Sequence, residues 1–138
     1  LGTEGLGFEL DKIINQLVKF PQLGNVVLKN NIDIGPNSTV RRATLDSTII
    51  KSGSKIGSLV NIGHNSEIGK NCILTCNVIT GGSSKIGDNT FIGVNSVIKN
   101  GVKVGSNSII GMGSIVTKEL KSNIIAYGSP AKEIRKKT

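Results

Sequence analysis

Residues 50–116 divide into hexapeptides that read IKSGSK IGSLVN IGHNSE IGKNCI LTCNVI TGGSSK IGDNTF IGVNSV IKNGVK VGSNSI IGMGSI V. An aliphatic residue begins every unit except the one that starts at Thr80, and glycine follows this first position in eight of twelve units. A small residue or a valine usually comes four positions after the first, and Asn often precedes it. The chain therefore carries a hexapeptide repeat.

This period predicts short strands rather than a helix. Because six is an even number, the first and fifth residues of each unit point to the same side of an extended chain. Glycine and asparagine tolerate positive φ, so both residue types are predicted at corners between strands. A single unit cannot bury its apolar side alone, so the units must stack. The economical closed form is a triangular coil with rungs about 4.7 to 4.9 Å apart, and it takes three units, 18 residues, for each turn.

The repeat divides the chain into a coil over residues 26–120 and two flanking segments. Residues 1–25 are predicted to be a lead-in that caps the first coil end. The apolar residues of this lead-in have the i, i+3, i+4, i+7 spacing of a short amphipathic helix: Leu10, Ile13, Ile14, Leu17 and Val18.

Residues 121–138 are predicted to form an extended segment and then a short basic helix. Ser129 is a suitable N-cap and Pro130 a suitable first helical residue. Such a helix would close the second coil end, and its free N–H groups and lysines would suit a phosphate.

The repeat slips once, near its start. The interval from Val40 to Ile50 is ten residues rather than twelve. Arg41, Arg42 and Asp46 fall in this slip, which is either the wall of a site or a plain irregularity.

Composition limits the classes of partner. The formal charge is +8, with one Tyr, three Phe and no Trp. Bases would have almost nothing on which to stack, which argues against nucleic acid; phosphorylated small molecules or an acidic carrier protein suit the charge. No apolar run approaches the ~20 residues that span a membrane. Cys72 and Cys76 resemble neither a disulfide framework nor a zinc site, so we expect free thiols and a cytoplasmic protein.

Counting in turns of 18 residues indicates which residues stack on one another and predicts a site. Adding 18 to His64, the one histidine, gives Gly82, and adding 18 again gives Asn100, so these residues should share one edge. A histidine beside a glycine N–H offers a general base and an oxyanion donor, the two groups that acyl transfer needs. The competing interpretation is a solvated surface histidine. Cys76 lies twelve residues from His64, on a different edge, so a Cys–His nucleophilic pair is disfavoured.

The hexapeptide run resembles the left-handed parallel β-helix acyltransferases, and the left hand comes from that resemblance. Four segments are similar to UDP-3-O-acylglucosamine N-acyltransferases of lipid A synthesis: Gly5–Phe8, Lys19–Gly24, Leu45–Ile50 and Gly63–Gly69. The fold class is thus expected to be all-β, a left-handed parallel β-helix of hexapeptide repeats with a short C-terminal helix. The tail segment Gly128–Lys132 is similar instead to the ending of acetyl-CoA-dependent acetyltransferases acting on nucleotide-linked amino sugars.

The resemblance implies roles for particular residues. His64 matches the general base and Gly82 the backbone donor to the thioester carbonyl oxygen, while Asn65, Asp46 and Asn100 are the candidate substrate-binding residues. The candidate residues for the donor arm and its phosphates are Gly111, Gly128, Pro130, Ala131 and Lys132.

The same resemblance implies a homotrimer with sites between subunits, a metal-free reaction and no tightly bound cofactor. The expected function is acyl transfer to the amine of a nucleotide-linked amino sugar. The donor is a phosphopantetheine thioester, carried by acyl carrier protein or by coenzyme A as in acetyl-CoA. An acetyl-CoA-dependent sugar O- or N-acetyltransferase and a non-enzymatic β-helix module remain the alternatives. A γ-type carbonic anhydrase would need three histidine ligands, and this chain has one.

Overall fold

The protein is described by a computed structural model that covers all of residues 1–138. It is built of strands and turns, without a helix. The strands are β1 (Phe8–Asp11), β2 (Gln16–Lys19), β3 (Asn25–Leu28), β4 (Asp33–Ile34), β5 (Thr39–Val40), β6 (Ser47–Ile50), β7 (Lys55–Ile56), β8 (Asn61–Ile62), β9 (Glu67–Ile68), β10 (Ile73–Leu74), β11 (Ile79–Thr80), β12 (Lys85–Ile86), β13 (Phe91–Ile92), β14 (Val97–Ile98), β15 (Lys103–Val104), β16 (Ile109–Ile110), β17 (Ile115–Val116), β18 (Ile124–Gly128) and β19 (Ala131–Lys136).

Strands β3 to β18 wind into a prism with three parallel faces, as the repeat predicts. Face 1 contains β3, β6, β9, β12 and β15; face 2 contains β4, β7, β10, β13, β16 and β18; face 3 contains β5, β8, β11, β14 and β17. Each strand pairs with the strand one turn later, as when Ile79 pairs with Val97 and Lys85 with Lys103. The predicted 18-residue turn and the all-β solenoid are therefore confirmed.

The interior is filled by the first and fifth residues of the hexapeptides. The first positions are aliphatic and closed to solvent, including Ile62, Ile68 and Ile98 at 0% exposure. The fifth positions are small hydroxyl, thiol or valine side chains; Ser54 and Ser66, for example, donate to Gly69 O at 2.7 Å and Gly81 O at 3.1 Å. A core of narrow layers thus needs almost no aromatic residues.

The corners use asparagine and glycine for different reasons. Asn residues before the small position have positive φ, as predicted; examples are Asn65 and Asn77, both at 58°. The glycines after the first position do not have positive φ, so that part of the interpretation is wrong. At Gly63, an ideal Cβ would lie 2.6 Å from the nitrogen of Gly82, because the next rung passes directly over it. Close backbone approach, rather than φ, requires glycine there.

The slip near the start of the coil is an insertion. Val40 lies on face 3 and pairs with Ile62, 22 positions later, whereas Ile50 on face 1 pairs with Ile68, 18 positions later. The next face normally comes six residues on, so the ten-residue interval contains four extra residues rather than lacking two. These residues form a loop at the corner between faces 3 and 1.

The N-terminal helix prediction is wrong. β1 and β2 form an antiparallel hairpin in which Leu10 pairs with Leu17, and Ile13 is 95% exposed at its tip. The Asp11 carboxylate accepts from the N–H groups of Ile13 and Ile14 at 2.8 and 3.3 Å, which stabilises a turn instead of a helix.

Before the hairpin, the chain runs beside face 3. Gly2 N–H donates to Val40 O at 2.8 Å, and Thr3 bridges Arg41 in parallel. The segment before the hairpin therefore packs along the first coil turn, whereas β1 and β2 contact each other and are mostly exposed.

The C-terminal helix prediction is wrong as well. β18 continues face 2 by pairing with β16, and β19 folds back antiparallel onto β18 through Ser129 and Pro130. An extended partner satisfies the free N–H and C=O groups of β18, which a helix would leave unpaired. The structure contains no helix long and apolar enough to cross a membrane.

Candidate active site

His64 lies in the turn after β8, at the corner between faces 3 and 1. Gly63 N–H donates to Thr80 O at 2.9 Å, and Ser83 N–H donates to His64 O at 2.7 Å. Gly101 N–H donates to Gly82 O at 2.9 Å in the same way. His64, Gly82 and Asn100 therefore occupy successive rungs of one corner.

The tautomer of His64 follows from its hydrogen-bond partner. Nδ1 lies 3.0 Å from Asn65 Oδ1. That oxygen also accepts from Thr44 N–H at 3.0 Å, while Asn65 Nδ2 donates to Leu45 O at 2.7 Å, so the orientation of the amide is determined. An amide oxygen only accepts, so in the neutral imidazole the proton is on Nδ1 and the lone pair is on Nε2. Nε2 is the atom that can act as a base.

Gly82 faces this Nε2. An ideal Cβ on Gly82 would lie 2.8 Å from His64 Cδ2, so no side chain fits there beside the imidazole. Gly82 does not have positive φ; the neighbouring Ser83, at 60°, makes the turn. The N–H group of Gly82 donates to no acceptor in the protein, although the residue is buried. It is a free backbone donor one rung from a free basic nitrogen.

A polar groove opens on the Gly82 side of His64. Its lining contains Arg41, Asn61, Thr80 and Asn100 together with Gly63, Gly81, Gly82, His64 and Leu6. Glycine at consecutive rungs leaves the groove floor formed mainly of backbone.

An apolar pocket lies on the other side of His64. It is lined by Gly5, Leu6, Gly7, Phe8, Phe20, Gln22, Thr44 and His64. Leu6 and Phe8 are 85% and 51% exposed. The N-terminal segment and Thr44 of the inserted loop thus line a pocket beside His64, which favours a wall over a plain irregularity for the slip.

Sequence reasoning missed Gln22 and Thr44. Gln22 is only 6% exposed, and its Oε1 accepts from the Thr44 hydroxyl at 2.9 Å. This bond joins the N-terminal segment to the inserted loop beside His64. The only signal for Gln22 was its place in Lys19–Gly24, one of the segments that carried the family resemblance.

The three candidate substrate-binding residues lie in three different environments. Asn100 lines the polar groove. Asn65 has its side chain engaged with His64, Thr44 and Leu45, so it orients the imidazole instead of facing the groove. Asp46 is an exposed residue of the inserted loop with φ of 66°, and it lines neither pocket beside His64.

The candidate donor-binding residues lie on another edge. Gly111 follows β16 at the corner between faces 2 and 3, where an ideal Cβ would lie 2.8 Å from Tyr127 Cβ. Gly128, Pro130, Ala131 and Lys132 are in the β18–β19 hairpin. Within one chain these residues share no pocket with His64 and Gly82.

The cysteines are unpaired and separate from the site. Cys72 is closed to solvent, its thiol donates to Gly87 O at 3.1 Å, and burial raises its pKa. Cys76 is exposed at the corner between faces 2 and 3, as expected from its distance to His64. A thiol–imidazole pair is therefore absent.

Comparison with known proteins supports this architecture. Residues 85–118 match a family model described as the hexapeptide repeat of succinyl-transferase. The chain is 40% identical over 82 residues to the UDP-3-O-acylglucosamine N-acyltransferase of Dechloromonas aromatica, covering 59% of this chain and 23% of that protein. The enzyme of that name from Bacteroides thetaiotaomicron is 45% identical over 78 residues, which is 56% of this chain and 22% of that protein. The chain thus spans about a quarter of the length of these curated relatives.

Solved structures give the same result for the fold. The UDP-N-acetylglucosamine O-acyltransferase of Moraxella catarrhalis superposes with a TM-score of 0.83 at 20% identity, over 99% of this chain and 51% of that one. A maltose O-acetyltransferase from Clostridium difficile superposes with a TM-score of 0.52 at 29% identity, over 83% of this chain and 66% of that one. The resemblance to the hexapeptide-repeat acyltransferases is confirmed, and the fold is that of left-handed parallel β-helix proteins.

Proposed function

We propose that the chain is an acyltransferase that moves an acyl group from a phosphopantetheine thioester to the amine of a nucleotide-linked amino sugar. The observation that carries this proposal is that His64 Nε2 and the N–H group of Gly82 lie side by side and that neither has a hydrogen-bond partner in the protein. A general base beside a preorganised oxyanion donor is what acyl transfer requires. The names of the curated relatives support the same chemistry.

In the proposed reaction His64 Nε2 takes a proton as the neutral amine nitrogen attacks the thioester carbonyl carbon. The carbonyl oxygen becomes an oxyanion that accepts from Gly82 N–H. Collapse of this intermediate breaks the C–S bond, forms the amide and returns the proton from His64 to the sulfur. Asn65 contributes by holding Nδ1–H, which keeps the lone pair on Nε2.

The donor in this proposal is coenzyme A or acyl carrier protein, both of which present a phosphopantetheine thioester. Residues 85–138 contain nine of the seventeen Lys and Arg residues but only three of the nine acidic residues. This excess of positive charge suits phosphates or an acidic carrier. Both cysteines are free thiols, which fits the expected cytoplasmic location.

A homotrimer belongs to the same proposal. On the outside of face 2, Ile73, Phe91, Ile109 and Ile125 follow one another in register. On the outside of face 3, Ile79, Val97 and Ile115 do the same.

Face 1 instead carries charges, with Lys85 beside Lys103. Packing face 2 of one copy on face 3 of the next would bury both apolar rows in a heterologous contact that can close into a ring. The His64 corner would then lie at the edge of that contact. Within one chain Gly111 and the segment Gly128–Lys132 do not reach His64, so a donor site that includes them would need residues of two copies.

A second candidate is O-acylation of a sugar hydroxyl by acetyl-CoA. The likeness to the maltose O-acetyltransferase favours it, and the same base and oxyanion donor would serve. The non-enzymatic module is less well supported, because a structural role gives no reason for a free Nε2 against a free N–H.

The test is a mass-spectrometric assay. The protein is incubated with a panel of nucleotide-linked amino sugars, and with maltose, in the presence of acetyl-CoA or hydroxyacyl carrier protein. A mass increase of one acyl group on an amino sugar, absent with His64→Ala, is expected. Acylation of maltose alone would favour the second candidate, and no product with any pair would contradict enzymatic function.

A further inference from the structure

Arg41 lies at the base of the polar groove, with its backbone held on two sides. Its N–H donates to Ile62 O at 3.0 Å, and it bridges Thr3 of the N-terminal segment. The residue is half-buried and lines the same groove as His64 and Gly82. Its position is therefore built into the site wall.

The next two residues in the column of Arg41 are glycines, which add no side chain of their own, and the Asn100 side chain lies beside the second of them, Gly81. The hydrogen bond from Arg41 N–H to Ile62 O is repeated by Gly63 to Thr80 O and by Gly81 to Ile98 O. Arg41, Gly63 and Gly81 thus stand in one column, beside the column of His64 and Gly82. A ligand lying over these glycines meets the guanidinium at one end of the groove and the imidazole at its side.

The charge of Arg41 has no counterion in the protein. Its one side-chain hydrogen bond runs from a terminal nitrogen to the backbone carbonyl of Glu4 at 3.2 Å. The Glu4 carboxylate is paired with Lys19, and the other ion pairs join Lys51 with Glu67 and Lys55 with Asp33. Most of the guanidinium N–H donors are unused, although the residue is half-buried beside a polar groove.

Arg42, the adjacent arginine, differs from Arg41 in its hydrogen bond and in the groove that it lines. Arg42 Nε donates to Gly2 O at 2.8 Å, and its side chain lines a separate groove at the coil end with Leu1 and Val26. Arg42 therefore ties down the N-terminus, whereas Arg41 presents a free cation to the candidate active site.

We propose that Arg41 binds a phosphate of the acceptor and so determines specificity for a phosphate-linked sugar. This inference rests on the proposed function and assigns its acceptor specificity to one side chain. A guanidinium forms two parallel hydrogen bonds to phosphate oxygens, which sets the position as well as the charge of the ligand. The sugar would lie over Gly63 and Gly81, with its amine at His64 Nε2 and its phosphate at Arg41.

The first test measures binding without catalysis. UDP, a nucleoside diphosphate, is titrated into the wild-type protein and into Arg41→Gln by calorimetry. A charge-assisted hydrogen-bonded pair predicts a roughly 10- to 100-fold weaker Kd in Arg41→Gln. Arg42→Gln is the matched control, because it removes the same charge and also loosens the N-terminal segment, and its Kd should stay within about twofold of wild type.

The second test measures turnover with two acceptors, a nucleotide-linked amino sugar and the same amino sugar without phosphate. Arg41→Gln should raise KM for the first acceptor and leave kcat/KM for the second unchanged. Arg41→Lys should recover part of the loss, since it restores the charge without the two-pronged geometry.

Equal losses on both acceptors, or an Arg42→Gln Kd as weak as that of Arg41→Gln, would overturn the assignment. If wild type transfers no acyl group to any acceptor but binds UDP through Arg41, the phosphate site stands and the proposed reaction fails. If wild type does not bind UDP, the assignment of Arg41 fails even where acyl transfer to uncharged sugars is observed.

Discussion

An ideal Cβ on Gly82 would lie 2.6 Å from Cε1 and 2.8 Å from Cδ2 of His64, so the imidazole occupies the space that a side chain at position 82 would need. The imidazole is half-buried and held by Asn65 Oδ1, and the Gly82 backbone is held by Gly101 N–H, which donates to Gly82 O at 2.9 Å. Gly82 thus serves the base as well as offering its own N–H.

Gly82→Ala should therefore remove activity more than stability. Gly82 does not have positive φ, so alanine causes no backbone strain. The methyl group should displace His64 and block the N–H, with a rate loss on the order of 10² to 10³ as for other oxyanion donors. Thermal melting and the acyl-transfer rate are measured on the same sample.

Gly113→Ala is the matched control for this substitution. Gly113 has φ of +66° and open space around its Cα, so alanine there should lower the melting temperature while turnover per folded molecule persists. A Gly82→Ala protein that also melts early and turns over normally when folded would refute the oxyanion assignment.

His64→Ala should reduce turnover by roughly 10²- to 10⁴-fold, the usual contribution of a positioned acid–base group. The melting temperature should change little, because His64 lies at a corner outside the apolar interior. Steady-state kinetics and calorimetry check both expectations. Activity within a few-fold of wild type would leave His64 as an ordinary surface residue.

Asn65→Ala should lose activity because the imidazole of His64 would no longer be held in place. Without Oδ1, nothing holds the proton on Nδ1, and a misplacement of about 1 Å can lower the rate by ~10²-fold. Asn77→Ala is the matched control, since Asn77 has the same φ of 58° and its side chain also donates a hydrogen bond, to Asn95 Oδ1 at 2.7 Å.

Both asparagine variants should lose stability, because alanine tolerates a left-handed φ less well than asparagine. Asn65→Ala should lose more, since its side chain also bonds Thr44 N–H and Leu45 O, so turnover is compared per folded molecule. Only Asn65→Ala should lose turnover. Equal turnover in the two variants would show that Asn65 has a structural role alone.

Phe91→Glu should dissociate the proposed trimer. Phe91 stands in the outward apolar row of face 2 and is 38% exposed in the single chain. A carboxylate buried there without a partner opposes association. Sedimentation should give three times the 14.5 kDa chain mass for wild type and the chain mass for the variant. Lys85→Glu on face 1 is the control and should leave the mass unchanged; a monomeric, fully active wild type would contradict the proposed assembly.

Thiol labelling should distinguish the two cysteines. Burial raises the pKa of Cys72, so at neutral pH its thiol stays protonated as well as shielded, whereas Cys76 is exposed. A maleimide should add once to the native protein and twice after denaturation, with Cys76→Ser removing the native adduct. Rapid double labelling of the native protein would contradict the packing of Cys72 in the coil.

The repeating residues are enough to predict the coil. A six-residue period is also the period of the strands and corners, so the alignment of His64 with Gly82 and Asn100 followed from counting alone. The positive φ of Asn65 and Asn77 followed from residue type. These features are local or exactly periodic, and each repeat contacts only its neighbours along the coil.

The segments that pack against the coil from outside the repeat could not be predicted in this way. Leu10 and Leu17 fit a helix by spacing, yet they pair across a hairpin because Asp11 stabilises a turn between them. The tail forms β19 because the edge of β18 offers backbone partners that no local pattern records. The wall beside His64, with Gln22 bonded to Thr44 and Arg41 in the groove, joins segments that are far apart in sequence. Such contacts depend on how non-repeating segments fold back onto the prism, and therefore no periodic pattern could predict them.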